Sequence, residues 1–226
     1  ALPPQGKRAR IEVYQSTLSY QQAGGIHGSA GCYHSRNARL LIDGSHYFQS
    51  ALRAGRRLPP ANNEDLLVHE LVHLCMHGHM GKLPAWFTEG AAEYFACLHS
   101  SGGNFVMNTA ESSLRDHLRA RYQPDQLSIT IRPVAEIGPL DVHDWLRYIQ
   151  RLPAAERYHA YATAVLLVHY HLHGGKQRQQ TVATMLKTSA TQVRARPLEL
   201  AIDPATIQKS WQPFWKEKGL VIQYGK

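Results

Sequence analysis

Residues 69–79 read His-Glu-Leu-Val-His-Leu-Cys-Met-His-Gly-His. This stretch constrains the chain more than any other, because one helix must carry several metal-binding side chains and still pack. Residues four apart on a helix lie about 40° apart around the axis and about 6 Å apart along it. His69 and His73 therefore present two imidazoles from one face, a suitable bite for one zinc ion. Glu70 lies about 100° further round. It can reach a water beside the ion without becoming a ligand. Such a water needs a base, since zinc lowers its pKa only to about 7. Glu70 is the expected general base, taking the proton and passing it to the leaving group. Leu67, Leu71, Leu74 and Cys75 supply the apolar helical period. Asn62 or Asn63 is placed to cap the helix, Glu64 and Asp65 stand in its first turn, and Gly78 is the expected stop.

A catalytic zinc takes three protein ligands and keeps one position open. Two residues compete for the third place. His79 stands six residues after His73, the spacing of the pattern H-E-x-x-H-x-x-G-x-x-H, but Met76 occupies the position where that pattern needs glycine. The other stretch is Leu83-Pro-Ala-Trp-Phe-Thr-Glu89-Gly-Ala-Ala-Glu93-Tyr-Phe. Glu89 falls early in a second helix opened by Pro84, where a carboxylate can point back at the first. Glu93 lies one turn further on the same face, placed to accept a hydrogen bond from a ligand imidazole, with His69 the favoured partner.

H-E-x-x-H followed by P-x-W-x-x-E-G-x-A-E-Y resembles the gluzincin metallopeptidases, and is most similar to the small bacterial peptidase MA-like group. The resemblance implies a zincin-like fold and a zinc-dependent peptidase. It implies Glu89 as third ligand beside His69 and His73, Glu93 as the residue behind the ligands, and no ligand role for His79. It extends over roughly residues 23–175. Gly31-Cys-Tyr-His and Asn37–Ile42 are similar to the family's strand pair before the zinc helix, and Pro133–Trp145 with Tyr161–Tyr170 to its later helical segment. It also implies export in bacteria, hence a periplasmic or secreted protein.

Amide hydrolysis develops an oxyanion that a Tyr or His donor commonly stabilises. Tyr161 is the candidate, opening the long helix where the resemblance resumes, with Tyr158 and His159 as rivals. Trp86 is expected to pack beneath the site, and His77 and His79 to lie on the loop after the helix. His169 and His173 repeat the four-residue spacing without a glutamate. They stand at a helix C-terminus, where imidazoles suit the dipole. By analogy of fold, the strand Arg39–Ile42 is expected at a sheet edge, free to pair with an extended peptide.

The remainder reads as strands first and helices after, an α+β chain. Strands are expected at Ile11–Tyr14 and Ala38–Ile42, and a short helix at Tyr47–Arg56. Further helices are expected near 84–99, 110–121, 141–152, 154–173, 176–187 and 204–218. With 226 residues, it is read as one catalytic unit, a small β-rich lobe over residues 1–60 and a helical lobe over 61–226. The longest apolar run, Ala164–Val168, ends at His169, too short to span a bilayer. The first residues, Ala-Leu-Pro-Pro, carry no recognisable signal peptide. The net charge is +8, but the basic residues are scattered and no aromatic-interleaved stripe favours nucleic acid. A peptide or protein is the expected partner. The three cysteines, Cys32, Cys75 and Cys97, show no C-x-x-C spacing, and Cys75 and Cys97 are expected to be buried thiols. The alternative is a zincin-like module that binds peptide or cell-wall ligand without cutting it. Glu70 argues against it, since a binder needs no base.

Overall fold

The computed structural model describes residues 9–45, 62–100, 103–121, 128–191 and 204–225. Arg39–Asp43 carries three consecutive apolar residues, Leu40, Leu41 and Ile42, the pattern of a strand covered on both faces, and all three are buried. It forms β3, the middle of a three-stranded mixed sheet. β1 (Arg10–Tyr14) pairs with it in parallel, Arg10 opposite Arg39, and β2 (Gly31–His34) pairs antiparallel, Gly31 opposite Ile42. The expectation that Arg39–Ile42 is a free edge is therefore wrong, because both of its sides are hydrogen-bonded; among the described residues β1 and β2 are the edges. A short helix α1 (Thr17–Gln22), capped by Ser16, precedes β2. Its Tyr20 is fully buried against Cys32 and Leu41, and the Tyr20 hydroxyl is 2.8 Å from Ser29 Oγ. α2 (Asn62–Cys75) packs on β2 and β3 and is followed by a 3₁₀ turn, His77–His79.

The chain divides into two compact units, residues 1–80 and 81–226. The division groups α2 with the sheet, whereas the sequence reading placed a boundary at 60/61. The expected helix over 47–56 and the capping side chains of Asn62 and Asn63 lie outside the described residues.

The second unit is built on α3 (Ala85–Leu98) crossing α7 (Arg157–His173). Along α3, Trp86, Gly90 and Tyr94 recur every four residues and face α7. Trp86 lies 5.6 Å from the His171 ring, and the Tyr94 hydroxyl is 2.7 Å from His173 Nε2. Between them the backbones meet: a Cβ on Gly90 would stand 2.3 Å from the Ala164 carbonyl oxygen. α4 (Ala110–Arg121) packs on α3. α5 (Val134–Ile137) and α6 (Val142–Arg151), the latter capped by Asp141, come before α7. α8 (Lys176–Thr191) packs on α7. α9 (Pro204–Glu217) ends at Gly219, whose positive φ turns the chain into β7 (Val221–Tyr224). β7 pairs in parallel with β6 (Ser128–Ile131), and β4 (His99–Ser100) pairs with β5 (Asn104–Phe105). Trp86, Trp145, Trp211 and Trp215 are buried in this unit. The fold class is α+β, and among the described residues no helix is long and apolar enough to cross a membrane.

Two further expectations are corrected. Cys75 is exposed at the end of α2 and Cys97 is half-buried, while Cys32, on the buried side of the sheet, is the buried thiol. His169 and His173 do not serve as charged dipole partners, since burial lowers the pKa of both imidazoles. His169 is 1% exposed and is pushed down to about 3, and the neighbouring His171, 4% exposed, is lowered by burial as well.

Two outcomes follow from this packing. Gly90→Ala should gain up to about 1 kcal/mol of helix propensity and lose about 1–3 kcal/mol by forcing α3 from α7. A net fall in the chemical-denaturation midpoint is expected, and a rise would show that the helices are not in backbone contact. His169 titrates near 6.5 when unfolded and near 3 when folded, so the unfolded chain takes up a proton first. Its contribution is complete above pH 6.5 and lost as pH falls toward 3, at up to about 1.4 kcal/mol per pH unit. Neither ring nitrogen has a hydrogen-bond partner, so His169→Leu should flatten the stability profile between pH 6 and 4. An unchanged slope in urea melts would refute this.

Candidate metal centre

α2 sets two imidazoles one turn apart, as its spacing demands. His69 and His73 are 8% and 5% exposed. Their rings meet edge to face with centroids 4.8 Å apart, and their Nε2 atoms are 3.1 Å apart. Two nitrogens in one tetrahedral zinc sphere, each about 2.05 Å from the ion, stand about 3.3 Å apart, so the pair fits that bite. His69, His73 and Glu89 form a buried group in which one ligand atom from each lies within 4.8 Å of the others. It is the one such group of three or more His, Cys, Asp or Glu among the described residues. The donor set, two imidazoles and a carboxylate, is one that divalent zinc accepts, with a fourth position left over.

Glu70 is 6% exposed. Its stem lies over β2, where a Cβ on Gly31 would stand 2.9 Å from Glu70 Cγ and 3.2 Å from Oε1. Only glycine leaves the carboxylate this place. On the same face of β2, two residues along, the Tyr33 hydroxyl lies 2.5 Å from His77 Nδ1. Burial raises the Tyr33 pKa, keeping the phenol protonated.

In the second unit, Glu93 Oε2 lies 3.0 Å from His117 Nε2. The two side chains are 12% and 7% exposed. Tyr158 stands against the same imidazole, ring centroids 6.4 Å apart. Tyr161 packs edge-on to buried Trp145 at 5.4 Å. Burial lowers the His159 pKa, so that ring is neutral near pH 7. Trp86 is 2% exposed and packs between Phe87 and His171. His79 stands in the 3₁₀ turn outside the three-residue group.

The sequence reading therefore named the three grouped residues and Glu70, but missed Gly31, Tyr33 and His117. In the sequence Gly31 stands only as the start of a strand, with nothing local to mark its partner. His117 sits in the polar segment Ala-Glu-Ser-Ser-Leu-Arg-Asp-His-Leu-Arg-Ala-Arg, and its flanking leucines were the only sign that this face turns inward. No protein-family model, curated protein or solved structure matches the chain.

Proposed function

We propose that the chain is a zinc-dependent peptidase of gluzincin type with a zincin-like fold. One observation carries the reading. The group of potential ligands among the described residues falls on His69, His73 and Glu89, the residues that the H-E-x-x-H and E-G-x-A-E stretches single out. Bound zinc would supply a Lewis acid for the scissile carbonyl and lower the pKa of a water to about 7.

The protein's own groups do the rest. Glu70, next to His69 on α2 and seated over Gly31, accepts the proton of the attacking water on its carboxylate. It then delivers that proton to the amine released when the C–N bond breaks. Tyr161 is the candidate donor to the developing oxyanion. β2 pairs with β3 on one side only among the described residues, so its outer edge suits an extended peptide held by backbone hydrogen bonds. Such binding favours a peptide or protein as substrate.

Metal analysis and a mixed peptide library test this together. One zinc per chain is expected, lost in His69→Ala, His73→Ala and Glu89→Ala. Glu70→Gln should keep its zinc while turnover falls about 10²–10⁴-fold. Gly31→Ala should also keep zinc and lose up to about 100-fold in kcat, since displacing a reacting group by about 1 Å costs that much. Full zinc binding without Glu89 would overturn the ligand set. Zinc binding with no cleavage of any library member would leave a peptide-binding module instead.

A further inference from the structure

Two contacts set β2 against α2 and the turn that follows it, both within the first unit. At one, the Glu70 side chain lies over Gly31. At the other, the Tyr33 hydroxyl lies 2.5 Å from His77 Nδ1, with the two rings edge to face at 78°. Tyr33 is two residues past Gly31, about 6.6 Å along the strand and on the same face. Position 77 is seven past Glu70, about two turns, so the chain returns to nearly the same side of the helix. The candidate base thus stands at one level of β2 and a phenol–imidazole pair at the next.

The pair has a hydrogen to spare. Both residues are half-buried, and His77 Nε2 makes no hydrogen bond among the described residues. A phenol and a neutral imidazole carry two O–H or N–H hydrogens between them, and their mutual bond uses one. If the phenol donates to Nδ1, the Nε2–H is left to give. If Nδ1–H donates to the phenol oxygen, the hydroxyl hydrogen is left. Either tautomer presents a donor. The outer edge of β2 brings a ligand to it. On a peptide strand added there, the residue opposite Tyr33 has its Cβ about 5 Å from that of Tyr33, on the same face. The peptide residue opposite Gly31 lies two positions away, at the level of Glu70.

We propose that Tyr33 and His77 line a specificity subsite beside β2 that takes a peptide side chain ending in a carboxylate or carboxamide, two positions from the bond hydrolysed beside Glu70. This rests on the peptidase reading above. Such a side chain carries a carbonyl-type oxygen that accepts the spare hydrogen of the pair. An aliphatic or thioether side chain leaves that hydrogen poorly met, and a Lys ammonium brings only donors.

The test is cleavage of a peptide set carrying Gln, Glu, Met or Lys at one position at a time, with zinc content and urea melts measured on every variant. The unaltered chain should prefer Gln and Glu over Met, a side chain of similar length, by about 3–10-fold in kcat/KM at one position two residues from the cut. The preference should lie mainly in KM. Tyr33→Phe and His77→Phe should each lose it, the double variant should lose no more, and all should keep one zinc per chain. Equal use of Gln and Met by the unaltered chain would overturn the proposal. So would variants whose melts shift while the preference stays, the behaviour of a purely structural pair. Peptide Kd on the Glu70→Gln chain, which keeps both residues, gives a second measure: Gln and Glu peptides should bind about 3–10-fold more tightly than Met peptides. Cleavage without the preference removes the subsite alone. Preferential binding without cleavage keeps the subsite and removes the peptidase reading. Neither binding nor cleavage of any peptide removes both.

Discussion

The second unit depends on two helix backbones being allowed to touch. Gly90 lets α3 settle against the Ala164 carbonyl of α7, at a distance no side chain would permit. That contact fixes the rotation of α3. Trp86, Gly90 and Tyr94 must then form the inner stripe, and they meet His171, Ala164 and His173 in turn. Glu89 and Glu93 each precede a stripe residue by one position, so they point about 100° away from it. The stripe thus sets the direction of both acids. A larger residue at 90 would move the acids along with the helix.

Spacing alone does not say what a pair of histidines will do. His69 and His73 on α2, and His169 and His173 on α7, both stand four apart. The first pair meets edge to face and brings two Nε2 atoms to 3.1 Å. The second pair stacks at 4.3 Å with 22° between planes, so flat ring faces meet. Its nitrogens go elsewhere. His173 Nε2 is taken up by Tyr94, and His169 is sealed beneath Trp215 and kept neutral by burial. Among the described residues, a carboxylate oxygen joins the ring nitrogens in one ligand group only for the first pair.

Much of the helical architecture was legible because local chemistry marks helix ends. Ala110–Arg121 matches the expected span, and Val142–Arg151 starts after Asp141 because that carboxylate accepts from the His143 and Asp144 amides. Pro84 stands just outside α3, as a residue without an N–H should. The strands were harder. β7 pairs with a strand about ninety residues earlier, a partner that no local pattern announces. α1 is six residues long and has one buried side chain, too little to show a period. The order of β1, β3 and β2 rests on long-range pairing, so the middle strand passed for an edge. At the candidate site, the residues within two short motifs were readable, while His117 was not. Its partner is 24 positions away, and its neighbours in sequence are those of a solvated helix.

Gly31 and Gly90 stand apart from the glycines that turn the chain. Neither has a positive φ, whereas Gly24, Gly28, Gly81, Gly103, Gly175 and Gly219 do. Their use is the room left by a missing Cβ rather than an unusual backbone. Gly31 sits in a regular strand and Gly90 in a regular helix, where glycine costs up to about 1 kcal/mol relative to alanine. Each gives a close approach in return: the stem of Glu70 onto β2, and α7 onto α3. One sets where the candidate base lies, and the other sets the rotation of the helix bearing Glu89 and Glu93. Alanine at either position should therefore act through a neighbour, at 31 through Glu70 alone and at 90 through the whole of α3. That difference predicts a chemical defect in a stable protein in the first case and a stability defect in the second.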